Sequence, residues 1–148
     1  MGIENLKTTL ASPNRSLNLN SPIFGASGTY GYVNEFDDFI DSDYKCGIVT
    51  KGITLEERQG NSGDRVFETI SGMINRIGLE NIGIKKFIEE KLPKLKNENI
   101  DFILNIAGST IEEYEKLAEI SNENNIKAIE VNVSCPNVKS GCLDSLIP

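Results

Sequence analysis

Four apolar runs of strand length each close on a polar residue, and those residues, Ser27, Lys51, Asn105 and Asn132, carry chemistry that fits together. Asparagine offers a donor and an acceptor on one planar group, so it can pair with the amide or imide edge of a flavin or a pyrimidine. Lys51 brings a positive charge suited to an anionic reduced ring or a carboxylate. The turn Gly25-Ala26-Ser27-Gly28-Thr29 lets backbone approach a flat ring closely. One polar residue at a strand end is more often a satisfied turn residue than a ligand, but four in register are harder to dismiss. Three residues beyond Asn132 comes Cys135, between Ser134 and Pro136 on what reads as a loop. A free thiol has a pKa of about 8.5 and serves as a base once positive charge or backbone donors favour the thiolate. From its residue type alone, an inert structural thiol is the competing reading. The chain has no histidine. That absence removes Ser–His and Cys–His nucleophiles and histidine-ligated metals, and leaves acid–base work to Cys, Lys, Asp, Glu or Tyr.

Composition narrows the class further. A 39% hydrophobic and 25% charged chain is ordinary for a globular protein, and no apolar run approaches the roughly 20 residues a bilayer span requires. The net charge of −7, with no basic stripe, argues against nucleic acid as partner. The start Met1-Gly2-Ile3-Glu4-Asn5-Leu6-Lys7 lacks a basic-then-apolar signal, so the expected compartment is the cytoplasm and no membrane partner is expected. Cys46, Cys135 and Cys142 form no C-x-x-C pair and read as reduced thiols, with no metal site. Cys46 and Cys142 read as bystanders.

Those residues need elements to hold them. Around Thr8–Leu10 and Ser16–Leu19, two alternating stretches joined by Ser12-Pro13-Asn14-Arg15 predict a small hairpin. The runs Pro22–Ala26, Gly47–Lys51, Phe102–Ala107 and Ala128–Val133 are near-continuously apolar, as parallel strands covered on both faces should be. Between them, helical patterns run over Asn34–Ile40, over Ile84–Asn97 with Pro93 expected to bend or shorten it, and from the capping box Thr110-Ile111-Glu112-Glu113 to about Asn122. This order predicts βαβ units and a parallel sheet in one α/β domain covering residues 1–148, with ligand chemistry at the strands' C-terminal ends. The stretch from Gly52 to Asn81 shows little periodicity, and loops of that length are usually functional.

Four segments together resemble the dihydroorotate dehydrogenase family: Lys51-Gly52-Ile53-Thr54-Leu55-Glu56-Glu57-Arg58, Met73-Ile74-Asn75-Arg76-Ile77-Gly78-Leu79-Glu80-Asn81, Asn105-Ile106-Ala107-Gly108-Ser109 and Asn132-Val133-Ser134-Cys135-Pro136-Asn137. The resemblance runs from Ser21 to Lys139, in the family's order and spacing, and its wording is closer to the class 1B catalytic subunits than to the class 1A enzymes. It implies a (β/α)8 TIM barrel, here an N-terminal half of about four βα units preceded by the hairpin. It also implies FMN as cofactor and oxidation of dihydroorotate to orotate in de novo pyrimidine biosynthesis. By position, Ser27, Lys51, Gly52, Asn105 and Asn132 match residues that hold FMN. Lys51, Asn75, Arg76, Ile77, Gly78, Leu79, Asn132 and Asn137 match those around dihydroorotate or orotate, and Cys135 matches the catalytic base. An FAD and iron–sulfur subunit linking to NAD, and a homo-oligomer, are the implied partners.

Departures from the family set further expectations. Beyond Lys139 the likeness fades, and the family's later flavin-contacting lysine, asparagine-containing substrate contact and phosphate-gripping glycine loops have no counterpart here. An eight-stranded barrel takes about 250 residues. Four strands leave two open edges and an unsealed apolar face, so the chain is expected to bind flavin poorly by itself and to self-associate. A catalytically inactive truncated remnant or assembly module, and a dihydropyrimidine dehydrogenase-like flavin domain, are the alternative readings. In Asn61-Ser62-Gly63-Asp64-Arg65 the family's usual proline after the asparagine is missing, which predicts a looser loop.

Overall fold

A computed structural model describes residues 6–12, 15–32 and 46–133. Strands β1 (Thr8–Ser12) and β2 (Arg15–Leu19) pair antiparallel, Thr8 opposite Leu19 and Ser12 opposite Arg15. This is the expected hairpin, extended at its turn. Its exit is tied to the sheet where the Asn20 N–H donates to Asp101 Oδ2 at 2.5 Å.

The centre of the molecule is a parallel sheet of β3 (Phe24–Gly25), β4 (Gly47–Val49), β7 (Phe102–Ile106) and β8 (Ile129–Val131), in that order. All four lie inside the apolar runs of the sequence. Each new strand joins the same edge, as successive βα units do. Gly47 matters for packing: a Cβ there would sit 2.3 Å from the Phe24 ring, so only glycine lets β3 and β4 close.

Alternation along β7 divides the molecule into two faces. Leu104 and Ile106, essentially inaccessible, lie in the apolar cluster with Ile84, Phe87, Leu92, Leu95, Leu117 and Ile126. Asn105, between them, points the other way. Phe87 is the centre of that cluster, edge-on to Tyr32 at 6.1 Å and tilted against Phe102 at 6.5 Å between centroids. Each such fully buried side chain contributes about 1.5–3 kcal/mol.

The helix expected over Ile84–Asn97 is present but changes pitch twice. It runs as α1 (Gly83–Lys86), a π-helical turn (Phe87–Lys91) and α2 (Leu92–Asn97). The cause is Pro93, which has no N–H to give the preceding turn; the wider turn absorbs this, with the Leu92 N–H bonding the Phe87 carbonyl five residues back. The pattern over Asn34–Ile40 lies outside the described residues.

Helix α3 (Ile111–Glu123) begins where the capping signal placed it: Thr110 is extended at φ −139° and its hydroxyl accepts from the Glu113 N–H at 3.3 Å. The reciprocal bond differs from the simple capping box, because Glu113 Oε2 accepts from the N–H of Ser109 rather than from Thr110. Thr110→Ala is therefore expected to cost about 1 kcal/mol, read as a lower urea midpoint at unchanged slope. Helices α2 and α3 are followed by Asn99 and Asn125 at φ 53° and 56°, the left-handed conformation that asparagine tolerates best after glycine. Among the described residues no helix is long and apolar enough to cross a membrane.

Candidate functional site

The strand ends do converge. After β4 the chain stays beside β7: the Ile53 N–H donates to the Asn105 carbonyl at 2.9 Å, and the Ala107 N–H to the Ile53 carbonyl at 2.8 Å. That path puts Gly52 between three side chains. A Cβ on Gly52 would lie 3.1 Å from Asn105 Oδ1, 3.1 Å from Leu79 Cδ1 and 3.6 Å from Asn132 Nδ2. From the other side, Gly28, at φ 76°, brings its turn against Lys51: the Lys51 N–H donates to the Gly31 carbonyl at 2.9 Å and the Gly28 N–H to the Val49 carbonyl at 3.3 Å. Gly52, Leu79, Asn105 and Asn132 thus share one small volume, with Lys51 and the Ser27 turn adjoining it.

Asn105 is the best determined member. It is 3% exposed, its N–H donates to Thr50 Oγ1 at 3.0 Å, and its Nδ2 donates to Glu130 Oε1 at 2.5 Å. Its Oδ1 is buried without a hydrogen-bond partner among the described residues. A buried carbonyl left in that state costs about 1–3 kcal/mol, so Asn105 Oδ1 is an acceptor that a donor would stabilise. Asn132 is fixed through its backbone, its N–H donating to the Ile106 carbonyl at 2.9 Å and its own carbonyl accepting from the Tyr114 hydroxyl at 2.6 Å.

Glu130 was missed in the sequence. It faces Asn105 across the β7–β8 ladder and also accepts from the Ser27 hydroxyl, linking the first and last strands of the sheet. The signal was there: Ile129-Glu130-Val131 places one carboxylate in an otherwise apolar parallel strand, where burial of a charge requires partners.

The stretch from Gly52 to Asn81 is more ordered than its weak periodicity predicted. It contains an antiparallel hairpin of β5 (Val66–Thr69) and β6 (Gly72–Asn75), whose apolar residues Val66, Phe67, Met73 and Ile74 are exposed. Alternation failed as a signal because neither face of the hairpin is buried against the described residues. The neighbouring loop is tied down despite its missing proline: the Asn61 N–H donates to the Ile77 carbonyl at 2.9 Å, and Asn61 Nδ2 to the Arg76 carbonyl at 2.7 Å.

The predicted substrate stretch divides accordingly. Asn75 closes β6 and is exposed, while the Arg76 guanidinium donates to the Ser62 carbonyl at 2.8 Å. Ile77 and Gly78 pack back on Asn61, and Gly78, at φ 81°, has no room for a Cβ, which would lie 2.8 Å from Asn61. Leu79 alone of the five has its contact with the Gly52 cluster resolved, and it takes φ 55°, a costly conformation for a branched residue. Cys135 and Asn137 lie outside the described residues. Cys46 stands apart from the cluster, its sulfur 4.0 Å from the Tyr30 hydroxyl oxygen; hydrogen bonding of the phenol with Cys46, ahead of Coulomb repulsion and burial, holds Tyr30 above its ordinary pKa.

The family described as Dihydroorotate dehydrogenase matches residues 9–145 of this chain. Among curated proteins, the chain is 50% identical over 126 residues to the catalytic subunit of dihydroorotate dehydrogenase B (NAD(+)) of Bacteroides thetaiotaomicron, covering 84% of this chain and 42% of that protein. The protein of the same description from Porphyromonas gingivalis is 48% identical over 128 residues (86% and 42%), and that from Petrotoga mobilis is 48% identical over 121 (82% and 40%). The chain spans about two fifths of the length of these relatives.

Proposed function

The chain belongs to the dihydroorotate dehydrogenase family, and from that membership we propose that it contributes the strand-end face of an FMN-dependent enzyme that oxidises dihydroorotate to orotate in pyrimidine biosynthesis. The finer architecture in this reading is a (β/α)8 barrel, to which the parallel sheet and its helices contribute successive βα units. The observation that carries the reading is the buried, unpartnered Asn105 Oδ1 beside the side-chain-free Gly52. An acceptor over a glycine floor fits the N–H edge of a flat heterocycle, and FMN has such an edge. Ser27, Lys51, Gly52, Asn105 and Asn132 would hold the cofactor, which when bound supplies the two-electron acceptor for the oxidation.

The chain's own groups do the rest. Lys51 sets a positive charge beside the ring and the substrate carboxylate. Asn132 and Asn137 hold the pyrimidine edge with their amide groups. Asn75, Arg76, Ile77, Gly78 and Leu79 line the substrate side, Leu79 closing against Gly52. Cys135, which stands where the resembling family motif carries its base, takes the proton from C5 of dihydroorotate as the thiolate. The relatives' description as catalytic subunits of an NAD(+) enzyme supports a partner carrying FAD and an iron–sulfur cluster. A homo-oligomer and a cytoplasmic location complete the proposal.

An anaerobic reduction experiment tests it. Chain supplied with the second half of a relative's barrel and with FMN should lose its yellow absorbance on addition of dihydroorotate, and dihydrouracil should neither bleach it nor compete. Bleaching by dihydrouracil in preference would move the chain to the dihydropyrimidine dehydrogenase reading. Gly52→Val gives a check that needs no turnover. A Cβ alone would already lie 3.1 Å from both Asn105 Oδ1 and Leu79 Cδ1, inside ordinary contact, and overpacking of about 1–2 kcal/mol corresponds to roughly 10-fold weaker FMN binding in equilibrium dialysis.

A further inference from the structure

We propose that Glu130 is a positioning residue that sets the hydrogen-bonding polarity of the site, by fixing which end of the Asn105 amide faces the ligand. The proposal rests on the flavin reading given above and adds to it a residue that touches no ligand. Asn105 and Glu130 are register partners on adjacent parallel strands, so their side chains leave the same face of the sheet. A carboxylate only accepts hydrogen bonds. Facing Glu130 Oε1, the Asn105 amide therefore has to present Nδ2 to it, and Oδ1 is turned toward Gly52, where it is buried and unpartnered. Ser27 donates to the same carboxylate oxygen, which braces Glu130 from the far strand of the sheet. The consequence is selectivity. With Glu130 in place the site demands a ligand N–H, as a cyclic imide offers, and rejects a ligand carbonyl at that position. With glutamine in its place the amide could satisfy either orientation of Asn105, and the demand would lapse.

The test uses the full chain with asparagine labelled by nitrogen-15, the Asn105 side-chain amide being identified by its disappearance in Asn105→Ala. In the unliganded wild type, one Asn105 amide proton should be shifted downfield and protected from exchange by the carboxylate. Glu130→Gln should abolish that signature. In FMN titrations, Glu130→Gln should weaken binding about 10-fold in the wild-type background and leave it unchanged in the Asn105→Ala background, because the effect passes through Asn105. Equal losses in both backgrounds, or a wild-type Asn105 signature in Glu130→Gln, would overturn the assignment, as would absence of the signature from the wild type. A wild type that shows the signature while FMN leaves every Asn105 signal unmoved would support the role of Glu130 and remove the flavin reading instead.

Discussion

With Cys135 as base in the proposed reaction, Cys135→Ala is expected to lower the rate of dihydroorotate oxidation by about 10²–10⁴-fold, the usual contribution of a positioned general base. FMN binding should be unaffected, since the residues assigned to the ring are Ser27, Lys51, Gly52, Asn105 and Asn132. The role of Cys135 comes from the resemblance of Asn132-Val133-Ser134-Cys135-Pro136-Asn137 to the family's base-bearing motif, and the residue types in the chain are compatible with it. With no histidine in the chain, proton abstraction near neutral pH falls to a carboxylate, a lysine or a thiol. Lys51 is more useful charged, and Glu130 is already engaged by Ser27 and Asn105. A thiol has an ordinary pKa of about 8.5 and serves as a base once its thiolate is favoured. Cys135→Ser separates base chemistry from loss of bulk. A serine hydroxyl ionises far less readily, so the serine variant should stay slow at neutral pH and recover as pH rises. The measurement is the rate of flavin reduction in a single turnover across pH, with the flavin spectrum recording occupancy. Turnover by the alanine variant at the wild-type rate would remove Cys135 from the role of base.

What could be read in the sequence, and what could not, divides along the same physical line. Local and periodic information was sufficient for the sheet: the four near-continuous apolar runs became the four parallel strands, and Thr110 capped the helix its spacing announced. The strand-end rule then picked out Ser27, Lys51, Asn105 and Asn132, because a residue's position at a strand terminus is a property of its own segment, whereas Gly52 came from the resemblance. Glu130 and Asn81 escaped because each acts through groups far away in the chain. Glu130 binds Ser27, 103 residues earlier, and Asn81 binds Thr54, 27 residues earlier. The hairpin within the Gly52–Asn81 stretch escaped for another reason: its apolar residues face outward on both sides, so burial imposes no period of two on them. The π-turn is an intermediate case, since Pro93 announced a defect but not how the preceding turn would accommodate it.

Asn81→Ala should destabilise the fold by about 4 kcal/mol, more than its place in a loop would suggest, because loss of one side chain orphans two buried backbone donors at once. Asn81 is 3% exposed, and its Oδ1 accepts from two buried backbone donors, the Thr54 N–H at 3.1 Å and the Gly83 N–H at 3.0 Å, while the Thr54 hydroxyl beside it has its own acceptor in the Glu56 carbonyl at 2.5 Å. Thr54 and Gly83 are themselves buried, so water cannot replace the lost acceptor without opening the loop. Each orphaned donor costs about 1–3 kcal/mol. Gly83 also begins α1, whose first N–H groups have no partner within the helix, so the asparagine acts as a cap supplied from two residues upstream. Its backbone adds an antiparallel bridge to Arg58, with 2.9 Å bonds in both directions, that clamps the two ends of the hairpin-bearing loop together. For a chain of this size the expected loss lowers Tm by roughly 12 °C. Asn81→Asp should fall between, since it keeps an acceptor for Thr54 and Gly83 but sets an oxygen against the Leu79 carbonyl, which now receives Nδ2 at 2.8 Å. That last bond couples the clamp to the site. It holds Leu79 in its left-handed conformation, with Cδ1 against Gly52, so Asn81→Ala should also loosen ligand binding under conditions where the fold survives. Thermal unfolding within 2–3 °C of wild type would show that other bonds close the loop, and would leave Leu79 positioned without Asn81.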